Sequence, residues 1–408
     1  MIITFEFNNF RSAKNDCFID FRKAKISQHK ESLIADEYLP VTVIYGPNGG
    51  GKSTIILAID YLVSLVMAPI LQMKGQIYPK KPFKPFLLDN DSRNKPTEFR
   101  ITFCLKNEYD RQLQYYVKLF KDSIIEESLY EKNGDDLASL LFERNNNGVK
   151  LNTRFSDILS SSSLNQKMPF LSMCAIMFPE SELGKIAISF GDILVVDFGN
   201  PSIEVVLPQL FSQYSGNPHT DKLIKNLLSG MHLVDEYEVV TDNTNGLTNK
   251  RIKTFHNVSD KTYGLFYDDE SMGTRKMMQI APSLALALSL GNTLVIDEMD
   301  AKLHPKMIEH IISLFTDKTV NKNGAQLIFT SHDMYTLSSK VFRRDEIYFA
   351  CKDEEDSTVI YSLADIKGDD NRMSRPDYSF SKKYLEGKYG SDPYFGKMQL
   401  WEEPNEKK

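Results

Sequence analysis

The fold is decided by the stretch Gly46-Pro47-Asn48-Gly49-Gly50-Gly51-Lys52-Ser53-Thr54. It fits the pattern G-x-x-x-x-G-K-[ST], whose glycines let successive backbone N–H groups point inward at phosphate oxygens. The β-branched run Val41–Tyr45 before it is typical of a buried strand, and apolar residues recur at helical spacing over 52–67 after it. Pro69 is expected to end that helix. A strand, a glycine-rich loop and a helix in this order predict a phosphate-binding loop.

The residues of this loop have distinct expected contacts. Backbone N–H groups would cradle the phosphates, with the positive end of the following helix behind them. Lys52 can reach the β- and γ-phosphates, and Ser53 can offer its hydroxyl to Mg²⁺. The predicted nucleotide-binding residues of the loop are Gly46, Asn48, Gly49, Gly50, Gly51, Lys52, Ser53 and Thr54. The chain is therefore predicted to bind ATP together with Mg²⁺.

A second apolar run, over 294–298, ends in two carboxylates, Asp297 and Glu298. A strand that ends in aspartate places that side chain at the carboxyl edge of a parallel sheet, beside the phosphate loop. Asp297 is predicted to hold Mg²⁺ through water, and Glu298 to orient or deprotonate the attacking water. Such a strand end is often an ordinary cap, so the prediction depends on its pairing with the phosphate loop.

A third strand end carries His332, which is predicted to donate a hydrogen bond to the γ-phosphate. This histidine follows the predicted strand 326–330, next in order after the strand that ends in the two carboxylates. Helical patterns over 276–290 and 305–315 alternate with strands over 293–296 and 326–330. Alternating helices and strands predict a parallel sheet with right-handed crossovers.

Four parts are expected along the chain. Residues 1–120 are the first half of the nucleotide-binding domain, with antiparallel strands, and 261–365 are its second half. Residues 121–260 are an inserted lobe, partly irregular over 121–165, and 366–408 are a tail. The predicted fold class is α/β: a core with a parallel sheet, an N-terminal antiparallel β lobe and an inserted, mainly helical lobe.

Composition limits the function. Charged residues make up 25% of the 408, and the net charge is −6, which excludes wholesale disorder and a basic field over the whole surface. The run Lys80-Lys81-Pro82-Phe83-Lys84 could contact nucleic acid, although such a run is more often a solvated loop.

The apolar run 280–290 is too short for a membrane span of about 20 residues. The cysteines lack metal-binding spacing and favour a reducing cytoplasm: Cys17, Cys104, Cys174 and Cys351.

Together these motifs resemble the ATP-binding-cassette (ABC) ATPases of the branch that holds SMC, RecF and OLD proteins. The glycine-rich loop matches their Walker A motif, 294–298 matches Walker B with its catalytic glutamate, and His332 falls at the switch histidine. Residues 8–12 look like the "NFRS" segment of this branch. The resemblance covers roughly 1–105 and 260–363, and the middle of the chain matches only loosely.

The resemblance also implies a composite site. Residues 270–275 lie where the signature motif belongs, and the helix after them is expected to start near residue 276. In the family, the residues at Ser271 and Gly273 face the γ-phosphate held by a second subunit, so that two ATP molecules lie in a head-to-tail dimer. Asp300 falls at the D-loop, before an "LHP" at 303–305.

Two further assignments are implied by the resemblance. Arg11, in the "NFRS" segment, is expected near the nucleotide. Gln166 is the best candidate by position for the Q-loop glutamine that contacts the metal, and Gln72 and Gln76 compete with it.

The predicted function is that of a cytoplasmic ATPase, a homodimer or higher homo-oligomer, that controls a separate effector such as a nuclease or toxin. The signature "ESMGT" departs from "LSGGQ" and is similar to bacterial ATPases of phage-defence systems, of the PARIS-ATPase or RloA type. The alternative is a RecF-like or SMC-like DNA-repair ATPase, which the acidic balance and missing coiled-coil pattern disfavour. The long insert disfavours a transporter subunit, and the intact Glu298 disfavours a scaffold that does not hydrolyse ATP.

The tail offers one more pattern. Residues 384–390 resemble the "YL-G-YG" ending of these bacterial ATPases. They are either an element that docks a partner or the packed end of the domain.

Overall fold

In the computed structural model, the described residues are 1–26, 28–76, 81–134, 138–156, 165–197, 202–244, 247–366 and 379–390. They form an antiparallel sheet, a parallel sheet and a helical part, which confirms the predicted α/β class. The strands are β1 (Ile2–Asn8), β2 (Cys17–Asp20), β3 (Val41–Tyr45), β4 (Thr97–Phe103), β5 (Arg111–Phe120), β6 (Ser123–Asn133), β7 (Ser139–Asn145), β8 (Gly148–Leu151), β9 (Ile193–Asp197), β10 (Glu236–Thr244), β11 (Leu247–Val258), β12 (Lys261–Phe266), β13 (Thr293–Asp297), β14 (Gln326–Thr330), β15 (Ile347–Lys352) and β16 (Thr358–Ser362). The helices are α1 (Lys52–Met73), α2 (Phe170–Met177), α3 (Glu182–Ile188), α4 (Ser202–Ser215), α5 (Pro218–Gly230), α6 (Met272–Leu290), α7 (Pro305–Thr316) and α8 (Phe380–Leu385).

The parallel sheet has the strand order β16-β15-β3-β14-β13-β9. Its strands run parallel except β16, which pairs antiparallel with β15 at the edge. Every residue of β3 and of β14 is buried, as expected for central strands that are covered on both faces. Because these strands are parallel, the carboxyl ends of β3, β13 and β14 meet at one edge, where the three predicted motifs begin.

The N-terminal lobe is a seven-stranded antiparallel sheet of order β2-β1-β4-β5-β6-β7-β8. Three of its strands lie within 121–165, which the sequence predicts to be a partly irregular insert, and the strand pattern there was not anticipated. Arg144 and Glu127 form a buried ion pair across β6 and β7, with Nη1 3.3 Å from Oε2. The Glu127 carboxylate also accepts hydrogen bonds from the backbone N–H groups of Phe170 and Leu171. Buried charges of this kind hide the apolar alternation by which strands are recognised.

Helix α1 lies between the two sheets and packs its apolar residues against both. It continues through Pro69 to Met73, so the predicted end of the helix at Pro69 is wrong. The proline removes one backbone hydrogen bond, but Val66 and Ile70 beside it are buried and hold the helix in the core. Among the described residues, α1 alone is long and apolar enough to cross a membrane, and 78% of its apolar window is buried inside the protein.

The middle of the chain contains the predicted helices and additional strands. Helices α2 and α3 lie on either side of Pro179, where the sequence predicts a break. Strand β9, predicted over 193–198, joins the parallel sheet, and Phe198 itself lies outside the described residues. Helices α4 and α5 pack against α6, and the three-stranded sheet β10-β11-β12 lies beside them. The expected helical lobe is therefore present, together with a small sheet.

The tail is packed against the parallel sheet. The ring of Tyr384 in α8 stacks on Phe349 of β15, with centroids 5.5 Å apart and an interplanar angle of 15°. Tyr389 also contacts Phe349, and its carbonyl accepts a hydrogen bond from the Tyr361 hydroxyl. Of the two readings of this segment, the packed end of the domain fits these contacts. Residues 391–408 lie outside the described part of the chain.

Candidate nucleotide site

The phosphate loop turns sharply between β3 and α1 and lies against the end of β15. Gly51, the residue before α1, has a φ of 103°, a left-handed conformation that favours glycine. A Cβ atom on Gly50 would lie 2.6 Å from the carbonyl oxygen of Ala350, so this position also excludes side chains. The loop therefore has the tight backbone path that a cradle of N–H groups requires.

Lys52 is folded back into the loop. Its Nζ donates hydrogen bonds to the carbonyl oxygens of Gly46, at 2.8 Å, and Pro47, at 3.0 Å. The side chain is buried, and this burial lowers the pKa of Lys52 to about 8, although Asp297, Asp300 and other carboxylates act in the opposite direction. The Lys52 ammonium is held by neutral carbonyl oxygens inside the glycine-rich loop, so it can bind phosphate oxygens in their place.

This lowered pKa predicts a pH dependence of ATP binding. A bound triphosphate favours charged Lys52, so an empty site with neutral Lys52 must take up a proton when ATP binds. Uptake should be small at pH 7 and close to one proton at pH 9, and ATP affinity should fall about tenfold per pH unit above about 8. Calorimetric titration in two buffers of different ionisation enthalpy measures this uptake.

The control for this titration is Lys52→Arg, because arginine stays charged at pH 9. Burial also lowers the pKa of Lys276 to about 8, and the Lys52→Arg variant retains that lysine. Any uptake that survives in the variant therefore does not come from Lys52. Equal uptake by the wild type and the variant at pH 9 would contradict the assignment to Lys52.

Hydroxyl groups connect the "NFRS" segment to the start of α1. Ser12 Oγ lies 2.6 Å from Thr54 Oγ1 and 2.8 Å from Thr358 Oγ1. Thr358 Oγ1 in turn donates to the Gly50 carbonyl at 3.3 Å. Arg11, next to Ser12, has a φ of 50°, and its guanidinium lies over the neighbouring Phe10 ring. The structure therefore places the "NFRS" segment beside Thr54, and Thr54 acts here as a structural partner of Ser12.

At the end of β13, one threonine positions both carboxylate residues. Thr330 Oγ1 donates to Asp297 Oδ1 at 2.6 Å and accepts from the Glu298 backbone N–H at 2.7 Å. Glu298 has a φ of 51° and its side chain is exposed at the edge of the sheet. Sequence reasoning missed Thr330, although its position as the last residue of β14, two before His332, is a usable signal.

Asp300 connects the carboxylate strand to His332. Its Oδ2 accepts a hydrogen bond from the His332 backbone N–H at 3.0 Å, and its Oδ1 is buried without a partner among the described residues. Partial burial and then the nearby charge of Lys52 hold the pKa of His332 below its ordinary value. The ring is therefore neutral at pH 7 and keeps one N–H for donation.

Lys276 is a second residue that sequence reasoning missed. It lies in the second turn of α6, is buried, and places Nζ 3.4 Å from the carbonyl oxygen of Glu298. Its ammonium also experiences the charges of Glu298, Asp300 and Asp297. This lysine therefore joins the signature helix to the loop that carries Glu298.

The signature residues form the tip of α6. The helix begins at Met272, four residues earlier than predicted, and Ser271 caps it by accepting a hydrogen bond from the Thr274 N–H at 3.1 Å. A Cβ on Gly273 would lie 3.4 Å from the Lys302 carbonyl, so the tip packs beside the segment that follows Asp300. In the described part of the chain, no hydrogen bond joins Ser271 or Gly273 to the phosphate loop.

An open cavity of about 820 Å³ lies beside the phosphate loop. Residues of the loop form one side of it, and His332 and Met334 form another. The remaining lining comes from the β15–β16 turn and from the tail, and it consists of Cys351, Lys352, Asp356, Tyr384, Leu385 and Gly390. The volume is in the range of small-molecule sites.

The structure does not bring Gln166 to the predicted metal ligands. The Gln166 side chain is exposed, and its carbonyl accepts a hydrogen bond from the Ile124 N–H at 2.7 Å. Its sequence neighbours line a second cavity with Ser64 and Gln72 of α1. At about 1.5 Å per residue along a helix, these positions lie roughly 17–29 Å from Ser53. The metal prediction is therefore wrong for Gln166, and the same placement disfavours Gln72.

Comparison with family models divides the chain into two matches. Residues 5–182 match the family described as "AAA domain". Residues 190–338 match the family described as "AAA domain, putative AbiEii toxin, Type IV TA system". Each of the two matched segments contains part of the site, the phosphate loop in the first and the carboxylate pair, the signature and His332 in the second. No curated protein matches the chain.

Solved structures give distant similarities. The SMC head bound to the C-terminal winged-helix domain of ScpA is 13% identical, with a TM-score of 0.47, and 88% of this chain and 97% of that chain are covered. The SMC head domain from Thermotoga maritima is 14% identical, with a TM-score of 0.42 and coverages of 90% and 99%. The recombination mediator RecF is 11% identical, with a TM-score of 0.40 and coverages of 89% and 98%.

The assignment rests on the two family matches and on the order of the motifs at one sheet edge. The phosphate loop follows β3, the Asp-Glu pair ends β13, and the histidine follows β14, with the signature at the start of the helix before β13. Both matched families are described as AAA domains, and the order of the motifs along the sheet edge is the one that the resemblance to ABC-type ATPases implies.

Proposed function

We propose that the chain binds ATP-Mg²⁺ at the phosphate loop and hydrolyses it in a site shared by two copies of the chain. The observation that carries this proposal is the placement of the signature. Ser271, which is exposed, and Gly273, which is half-buried, form a helix tip beside Lys302, while Lys52, Asp297 and the switch histidine gather at the edge of the parallel sheet. Head-to-tail pairing of two copies supplies the missing signature to each phosphate loop.

The residues of one copy have complementary tasks. Lys52 exchanges its two carbonyl partners for phosphate oxygens, and Ser53 and Asp297 hold Mg²⁺, with Asp297 oriented by Thr330. Mg²⁺ offsets the negative charge of the phosphates when it is bound. Glu298 lies exposed at the strand end, where its carboxylate can accept a proton from the attacking water.

Two further groups act on the phosphates. The neutral ring of His332 donates a hydrogen bond toward the γ-phosphate, and Asp300 holds its backbone in place. The second copy contributes the tip of α6, a 19-residue helix whose positive end attracts anions. Ser271 and Gly273 at this tip offer a hydroxyl and backbone N–H groups to the phosphates.

Replacing Ser271 by arginine should block ATP-induced dimerisation without removing ATP binding by the single chain. The large cation would occupy the space that closes on the triphosphate of the other copy. Sedimentation with and without ATP-Mg²⁺ measures the association. Ser289→Arg, the same change at the other end of α6, should dimerise like the wild type. ATP-dependent dimers of the Ser271→Arg protein would contradict the composite site.

The ATP-driven dimer is proposed to act in the cytoplasm and to control a separate effector, a nuclease or toxin, in antiphage defence. The description of the family matched over 190–338 places that family in a type IV toxin–antitoxin system, which supports the defence setting of this proposal. Phage plating on cells that express the chain with the product of its neighbouring gene tests this role, with Lys52→Ala as the inactive control. DNA-stimulated ATPase activity would instead favour the DNA-repair alternative.

A further inference from the structure

The first residue of α6 is an exposed methionine. The Met272 side chain is 56% exposed, whereas Thr274, Met277 and Met278 on the following turns are buried. The Ser271 hydroxyl is engaged with Thr274. Met272 is therefore an apolar side chain that projects from the tip of the signature helix into solvent.

The cavity beside the phosphate loop has an apolar wall on the side of the tail. Leu385 lines it with 66% of its side chain exposed, next to Tyr384, and Met334 lines it from the segment after His332. Stacking of Tyr384 on Phe349 fixes this wall to β15. Both Met272 and Leu385 leave apolar surface in water, so burial of one against the other is favourable.

We propose that Met272 of one copy docks into the cavity of the second copy, between its phosphate loop and the wall formed by Met334, Tyr384 and Leu385. This inference rests on the proposed composite site. When Ser271 meets the triphosphate on the loop, Met272 follows with its Cα only about 3.8 Å further along the chain. Its side chain must then lie beside that loop, where the cavity is found.

The chemistry of methionine suits this contact. Its flexible, polarisable side chain fills irregular apolar gaps, and the cavity wall combines a thioether, an aromatic ring and an aliphatic side chain. The tail segment then forms part of the dimer interface, so α8 and its neighbours do more than cover the end of the parallel sheet.

Met272→Ala should weaken ATP-dependent dimerisation by about ten- to a hundredfold, and Met272→Leu, of similar volume, should weaken it much less.

A cross-link tests the docking directly. Cys351 lines the cavity, whereas Cys17, Cys104 and Cys174 are buried. Met272→Cys in a Glu298→Gln background should therefore react with Cys351 of the other copy through a short bis-maleimide. The expected product is a covalent dimer on a denaturing gel, formed with ATP-Mg²⁺ and not without nucleotide.

Two matched variants define this cross-link. Cys351→Ser should remove the cross-link. Met73→Cys, a change at a residue that is 71% exposed at the far end of α1, should give no cross-link to Cys351 when Met272 is retained. If sedimentation shows ATP-dependent dimers but no cross-link to Cys351 forms, the docking of Met272 is wrong and the composite site stands. If ATP produces no dimer at all, the composite site and the docking are both wrong.

Discussion

Replacing Glu298 by glutamine should lower ATP turnover by about a hundredfold or more while ATP binding survives. The amide keeps the size of the carboxylate but cannot accept a proton from the attacking water. Lys52, Ser53 and Asp297 remain to hold the nucleotide and metal, so the ATP-bound dimer should be long-lived. Phosphate release and ATP retention, measured side by side, test both halves of this expectation.

The matched comparison is Asp297→Asn, because it changes the metal ligand and not the proposed base. The substitution also alters the hydrogen bond from Thr330, at 2.6 Å. This variant should lose ATP-Mg²⁺ retention together with turnover, whereas Glu298→Gln should lose turnover alone. Near-normal phosphate release by the Glu298→Gln protein would remove Glu298 from the mechanism.

Replacing Lys52 by alanine should raise the Kd for ATP by about a hundredfold, since a charged hydrogen-bond donor to the phosphates is lost. The change should not unfold the protein, because it removes a buried ammonium whose charged form is disfavoured by its surroundings. Equilibrium dialysis measures the affinity, and a thermal melt checks the fold.

Lys74→Ala is the control for this variant, since Lys74 lies exposed immediately after the other end of the same helix. It should bind ATP like the wild type. Equal ATP affinities of the Lys52→Ala and wild-type proteins would contradict the assignment of the phosphate loop.

The nucleotide-binding strands were predictable because their patterns are local. The run Val41–Tyr45 is rich in β-branched residues and is followed by Gly46, and the prediction of a strand over these residues is confirmed at both ends. The strand predicted over Gln326–Thr330 is also confirmed at both ends. The motif residues at 46–54, 297–298 and 332 each follow such a strand, so the parallel sheet alone brings them to one edge.

Other features depend on contacts between distant parts of the chain. The strands around Glu127 and Arg144 were missed because two charged residues are paired inside the sheet, a fact that no local pattern reveals. Pro69 did not end α1 because apolar neighbours from both sheets cover the helix around it. Lys276 reaches the Glu298 loop only through the packing of α6 beside β13, so its part in the site could not be read from spacing.

The assignment of Gln166 failed for a related reason. It depended on position in the sequence within the region where the family resemblance is loosest. The structure shows that its neighbours lie beside the second half of α1, far from Ser53. A residue in an insert can be placed near the site only when the path of the insert is known.

The central claim, that each site is shared by two copies, is tested most directly by mixing two inactive variants. Lys52→Ala lacks a working phosphate loop, and Ser271→Arg lacks a working signature. In a mixed dimer, the phosphate loop of the Ser271→Arg chain meets the intact signature of the Lys52→Ala chain. Neither variant can build a composite site with itself, whereas each mixed dimer has one intact site of two, so the mixture should regain ATPase activity that neither variant shows alone, at most about half of the wild-type rate per dimer. A mixture as inactive as its two components would contradict the account.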